Sequence, residues 1–266
     1  MGMPVSVEIA DTSAGENIFD EVFSYFDYID GKFSTYKEDS EISRINRKEL
    51  DEKNWSADMR EIFALSATTK KETNGFFDIR TPEGKCDPSG LVKGWAILNA
   101  AKIISKAGFN NFYVEAGGDI QTSGKNEKGK PWRVGIRNPF NKAEIVKVVA
   151  VSGEGVATSG IYERGEHIYN PKTGSSAPKD IVSLTVIGPN IYEADRFATA
   201  AFAMGAEGIN PVRSRAPRGA RSPRCSSGEA GSARLLARAV SNGMNFIENL
   251  SGLEGYMIDS KGIATM

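Results

Sequence analysis

The chain has 266 residues, 33 Lys+Arg against 34 Asp+Glu, with 40% hydrophobic and 25% charged residues, the balance of a globular protein able to bury a large core. No apolar run approaches the roughly 18 residues of a spanning helix. Two cysteines, Cys86 and Cys225, exclude a disulfide framework and a thiol-rich metal site, and the single histidine, His167, excludes a histidine-rich zinc site. A net charge of −1 argues against a nucleic-acid partner.

In chain order, the alternation Val5-Ser6-Val7-Glu8-Ile9 predicts a strand directly after Met1-Gly2-Met3-Pro4. No basic, apolar or small-residue leader precedes it and no N-terminal cysteine offers a lipid anchor, so the chain as written is expected in the cytoplasm; a chain whose leader had been removed would read the same and would be periplasmic. Ile18, Phe19, Val22, Phe23, Phe26 and Ile29 mark an amphipathic helix over 18–33. Ser40 is placed to cap a short helix. A helix over 58–73 should stop at the left-handed pair Asn74-Gly75, and an Ala- and Ile-rich helix over 93–107 at Gly108. Strands follow at 112–115, 132–136, 145–151, 183–187 and 255–259. Helices and strands mix without strict βαβ alternation, which predicts an α+β fold rather than a doubly wound sheet, in one large domain or two small ones.

One stretch departs from this pattern. Residues 211–240 hold seven of the fifteen arginines and no lysine, and with one Glu they carry +6, leaving the remainder at −7. Pro, Arg, Ser, Gly and Ala dominate and little is available to bury, so a disordered insertion or out-of-frame stretch at about 211–242 is expected, with a natural basic loop for an acidic partner as the alternative.

Five clusters carry candidate chemistry. Asp87-Pro88-Ser89-Gly90-Leu91-Val92-Lys93-Gly94 reads as a turn opening a helix, whose free amides and Lys93 would cradle a phosphate, or as an ordinary capped turn. Glu115-Ala116-Gly117-Gly118-Asp119 follows a strand, where paired glycines permit a close approach to a ligand or form a tight turn, and Thr158-Ser159-Gly160 lies in a further small-residue loop. His167, beside Tyr169, Lys172 and Thr173, is either a proton acceptor or structural. Asp195 and Thr199 share one helix face; with a backbone carbonyl they make a hard-oxygen set suited to Mg²⁺, the alternative being Asp195 as a helix cap.

Taken in order these segments resemble one family. Ser34-x-Tyr36 with Ser40-Glu41-Ile42-Ser43-Arg44-Ile45-Asn46, Gly75-Phe76-Phe77-Asp78, Asp87-Pro88-Ser89-Gly90-x-x-Lys93-Gly94, Gly117-Gly118-Asp119-Ile120, Trp132-x-x-Gly135-Ile136-x-Asn138-Pro139, Thr158-Ser159-Gly160, His167-Ile168-x-Asn170-Pro171-x-Thr173-Gly174 and Ala194-Asp195-x-x-Ala198-Thr199 are similar to the motifs of the ApbE family of flavin transferases. The resemblance implies a single α+β, T-fold-like domain over 1–266, of mainly antiparallel sheets and packed helices, and a Mg²⁺-dependent FAD:protein FMN transferase. Such an enzyme cleaves the FAD pyrophosphate, attaches FMN through a phosphoester to a threonine of an acceptor flavoprotein bearing a target motif, and releases AMP.

The resemblance further implies that Asp195, Thr199 and a backbone oxygen near Val92 ligate the metal. His167, Lys93 and Asp195 would be catalytic, His167 as base. FAD would lie against Tyr36, Ser89, Lys93, Glu115, Gly118, Asp119, Trp132, Ile136, Thr158, Ser159, Gly160 and His167. Two residues depart from the pattern: Met3 stands where Thr is usual, and Arg196, expected toward solvent or near phosphate, follows Asp195 in place of a small residue. FAD hydrolysis to FMN and AMP, and flavin binding without turnover, are the competing readings.

Overall fold

A computed structural model of the protein describes residues 2–161, 168–176, 181–205 and 243–266. His167 and all of 211–242 lie outside the described residues. In chain order the elements are β1 (Val5–Ile9), α1 (Glu16–Phe33), α2 (Glu41–Asn46), a single 3-10 turn (Glu52–Asn54), α3 (Ala57–Glu72) and α4 (Ser89–Lys106). Then come β2 (Phe112–Ala116), β3 (Asp119–Ser123), β4 (Trp132–Asn138), β5 (Asn141–Val151), β6 (Gly155–Gly160), β7 (Ile181–Gly188), α5 (Ile191–Met204), a helical turn at 243–248, β8 (Glu254–Asp259) and β9 (Ala264–Thr265). None of these helices is long and apolar enough to cross a membrane.

Local signals set the helix ends. The Ser40 hydroxyl accepts from the Ser43 amide at 3.2 Å and starts α2, and Ser56 does the same for α3 with Met59. Asn74 and Gly75 both take positive φ (51° and 80°) after α3, as expected of a left-handed stop. The helix expected over 93–107 begins four residues earlier, because Pro88 fixes φ at the cap and its carbonyl accepts from the amides of Leu91 and Val92.

The strands form an open seven-stranded sheet in the order β1-β2-β3-β6-β7-β8-β9, every pairing antiparallel, and β4 and β5 form a separate two-stranded ribbon. The period-two alternation of the strands divides the core. Phe112, Val114, Ala116, Ala157, Leu184, Val186 and Met257 face the helices, packing with Leu91, Ile97, Phe202 and Met204. On the opposite face Tyr113, Ile120, Val156 and Ile187 pack beneath Trp132, Val134, Val149 and Val151 of the ribbon. Each large side chain fully buried in this way contributes about 1.5–3 kcal/mol. The sheet therefore carries helices on one side and the ribbon on the other.

The site arises where this sheet fails to close. β3 and β6 pair at only two positions, Ile120↔Val156 and Gln121↔Gly155, and then diverge. α5 is fastened at the same place: Gln121 Oε1 accepts from the Ile191 amide at 2.8 Å, and Asn190 caps the helix by accepting from Glu193.

Candidate active site

At the gap between β3 and β6 the Asp119 carboxylate stands in for a missing ladder partner, its Oδ1 accepting from the Thr158 amide at 3.0 Å. Its Oδ2 lies 2.5 Å from Lys93 Nζ on α4, and the same ammonium is 3.6 Å from Asp195 Oδ1 on α5. Asp195 Oδ2 in turn accepts from the Gly94 amide at 2.8 Å. Three elements thus bring two carboxylates and one ammonium together in the interior, with Asp119 only 1% and Asp195 only 3% exposed.

The helices can meet here because α4 lacks side chains at Gly90 and Gly94, one turn apart. A Cβ at Gly94 would stand 2.7 Å from Asp195 Cβ and 2.8 Å from the Ile191 carbonyl oxygen; one at Gly90 would be 3.0 Å from Thr199 Cγ2. Thr199 is half-buried within an otherwise buried run of α5, so its hydroxyl opens on the same space as Asp195. Asp195 is not a helix cap: Asn190 fills that role, and the carboxylate sits inside the helix.

Above these groups lies a cleft of about 450 Å³. Of the residues expected from the sequence it is lined by Ser89, Lys93, Glu115, Gly118, Asp119, Trp132, Ile136, Thr158, Ser159, Gly160, Asp195 and Thr199. Val92 lies in the first turn of α4 between lining Gly90 and Lys93 with its side chain buried, and does not itself line the cleft. Tyr36 is not brought to the cleft: it stands 97% exposed in the turn after α1, because nothing packs over the polar stretch that carries it. His167 lies outside the described residues, although Ile168 and Tyr169 beside it line the cleft.

Three further expectations change. Thr158-Ser159-Gly160 is the end of strand β6 rather than a loop. The start of α4 is not a bare anion cradle, since Asp87 accepts from the Ser89 amide and Pro88 takes those of Leu91 and Val92; the positive charge comes from Lys93. Arg196 faces away from the cleft and is buried, hydrogen-bonded to Glu193 at 2.5 Å, to Thr69 at 3.2 Å and to Glu72, with its guanidinium 4.0 Å over the Phe197 ring. It pins α5 to α3.

Reasoning from sequence did not single out Tyr113, Phe77, Arg133 or Arg137 as lining residues. The Tyr113 ring meets Trp132 edge-on at 5.2 Å, and its placement follows from the alternation of β2, which turns Tyr113 away from the helices. Gly117 and Gly118, with φ of 60° and 93°, form the expected turn, closed by the Gly118 amide on Glu115 at 2.6 Å; a Cβ on Gly118 would meet nothing within 4 Å.

Burial pushes the Asp195 carboxyl up to about 7, Lys93 and the Gly94 amide oppose this, and the neighbouring Asp119 adds to it. Among the described residues, two interior carboxylates stand against one ammonium, an arrangement that suits a further cation. The donors are hard oxygens, and among the described residues no three His, Cys, Asp or Glu side chains converge on one point. Such a site fits Mg²⁺, which takes one or two protein ligands and completes its shell with water and substrate oxygens.

Sequence comparison identifies the relatives of this arrangement. The ApbE family pattern matches residues 1–82 and 80–219. The chain belongs to the ApbE family. This ApbE-family chain is 27% identical over 270 residues to the FAD:protein FMN transferase of Klebsiella pneumoniae, spanning 78% of this chain and 77% of the relative. It is 25% identical over 262 residues to that of Haemophilus influenzae, spanning 73% of this chain and 74% of the relative. The fold superposes on the flavin transferase ApbE from Vibrio cholerae with a TM-score of 0.75 at 20% identity, covering 100% of this chain and 93% of that one. The ApbE protein of Thermotoga maritima gives 0.72 at 21% identity, covering 99% and 93%.

Proposed function

We propose that this chain is a Mg²⁺-dependent FAD:protein FMN transferase that joins FMN to a threonine hydroxyl of an acceptor protein. In this reaction the acceptor oxygen attacks the phosphorus on the FMN side of the pyrophosphate, the bridging P–O bond breaks, AMP leaves, and the hydroxyl proton passes to a base. His167 is the residue we assign as that base.

The observation that carries the reading is the Asp119–Lys93–Asp195 cluster on the floor of a cleft with aromatic and small-residue walls. Asp195 and Thr199, with the backbone at Val92, would hold Mg²⁺, and Lys93 would lie against the phosphates. A bound Mg²⁺ would supply charge neutralisation at the phosphoryl oxygens. The Thr158 amide and the Lys93 ammonium hold Asp119 in place, the open turn at Gly118 lets a ligand approach the backbone, and Trp132 with Tyr113 offers aromatic surface to a planar ring. Burial of the cluster excludes water and strengthens every electrostatic contact within it.

The test is to incubate the protein with FAD, Mg²⁺ and a protein lysate or purified acceptor, then to measure AMP and protein-bound flavin. Equal amounts of AMP and of flavin surviving denaturing electrophoresis are expected. AMP released with free FMN and no labelled protein would make the chain a hydrolase, and FAD bound without AMP would make it a carrier.

A further inference from the structure

Residues 125–151, which comprise the approach to β4 and the β4–β5 ribbon, carry seven Lys or Arg and two Glu, a net of +5. With the whole chain at −1, everything outside this stretch and the +6 of 211–240 sums to −12. The ribbon and the approach to it form a basic stretch in an otherwise acidic chain.

Its two faces differ. Trp132, Val134, Val149 and Val151 are spent on the sheet below. The register sets Arg133, Gly135 and Arg137 opposite Ala150, Val148 and Ile145 on the other face. There Ile145 and Val148 are 47% and 46% exposed, and all three residues of β4 are exposed too. Ile145 spreads across Gly135, where a Cβ would come within 3.0 Å of it, so the face is a flat apolar strip with an arginine at either end. Arg133, Gly135 and Arg137 also line the cleft, so the strand that carries this face borders the space an acceptor hydroxyl must enter.

We infer that the outer face of the β4–β5 ribbon docks the acceptor protein, through a segment that is acidic and carries apolar side chains: its carboxylates meet Arg133 and Arg137 and its apolar groups cover Ile145 and Val148. The inference rests on the transferase reading, since that reaction is what requires a macromolecular partner at this mouth. Opposite charge steers such a partner and fixes its register, and the aliphatic strip supplies the buried centre of the contact.

The test uses two fluorescent peptides with one central Thr, one flanked by Asp and Leu and the other by Lys and Leu, together with a single-stranded oligonucleotide of the acidic peptide's charge. The proteins are the wild type and the surface variants I145S/V148S and K128E/K130E, none of whose four positions lines the cleft. The acidic peptide should bind and the basic one should not. Each double variant should weaken binding about tenfold or more, with FAD affinity and thermal midpoint unchanged. Equal binding of both peptides, wild-type affinity in either variant, or an oligonucleotide that binds as tightly and responds to I145S/V148S as the peptide does would overturn the inference. Failure of the transferase reading is separate: it would show as no flavin on any protein while the acidic peptide still binds.

Discussion

Gly94→Ala tests whether the site depends on how closely α4 and α5 approach. Ala is better than Gly inside a helix by about 1 kcal/mol, and the substitution also narrows the unfolded ensemble. At Gly31, an exposed position of α1 where an added Cβ meets nothing within 4 Å, that gain should appear in full. At Gly94 the new methyl would lie 2.7 Å from Asp195 Cβ and 2.8 Å from the Ile191 carbonyl oxygen. Ordinary carbon contacts need about 3.5–4.0 Å, so the helices must separate by roughly 1 Å. Overpacking of that kind costs about 1–3 kcal/mol and cancels or reverses the helical gain. Gly94→Ala should therefore be less stable than Gly31→Ala by about 1–3 kcal/mol in urea unfolding. Moving Asp195 by roughly 1 Å should slow AMP release from FAD about 100-fold. A Gly94→Ala protein as stable as Gly31→Ala and fully active would refute the argument.

Asp195→Asn should lower Mg²⁺-dependent AMP release by at least about a thousandfold, the scale of several kcal/mol of lost charge stabilisation. It should leave the urea midpoint no lower than wild type, because the buried carboxylate is held against its desolvation; a folded, fully active variant would remove Asp195 from the site. Arg196→Met should cost about 1–3 kcal/mol in urea unfolding through lost charged hydrogen bonds, not more, since Glu193 and Glu72 remain 27% and 44% exposed and can be hydrated. His167→Ala should slow FMN transfer by about 10²–10⁴-fold while FAD affinity, read by flavin fluorescence, stays within about twofold; unchanged transfer would end its role as base.

Much of this was legible in the sequence where local chemistry decides. Ser40 reads as a cap and is one, Asn74-Gly75 stops a helix, and the alternation of Val5–Ile9 makes a strand. The i,i+4 spacing of Asp195 and Thr199 likewise puts both on the one stripe of α5 that borders the cleft. What could not be read depends on partners distant in the chain. Gly155–Gly160 has the small residues of a loop, yet it is a strand: Gly155 is needed because a Cβ there would sit 2.1 Å from the Ile191 amide nitrogen. Asp119 gives no local hint that its carboxylate will accept the Thr158 amide and the Lys93 charge at once. Arg196 is charged and beside Asp195, which suggested the phosphate site, but Glu72 on another helix draws it to the opposite side.

The manner in which α5 is held has an architectural consequence. Asp195 lies in its first half and Thr199 just past the middle; the bond from Gln121 tethers the start of the helix to the sheet, and Asn190 caps it. The far end reaches Met204, fully buried, before Gly205. A change to the chain after Gly205 therefore loads the helix at its distal terminus, about one and a half turns beyond Thr199 and farther still from Asp195, so it disturbs the hydroxyl of the pair before the carboxylate.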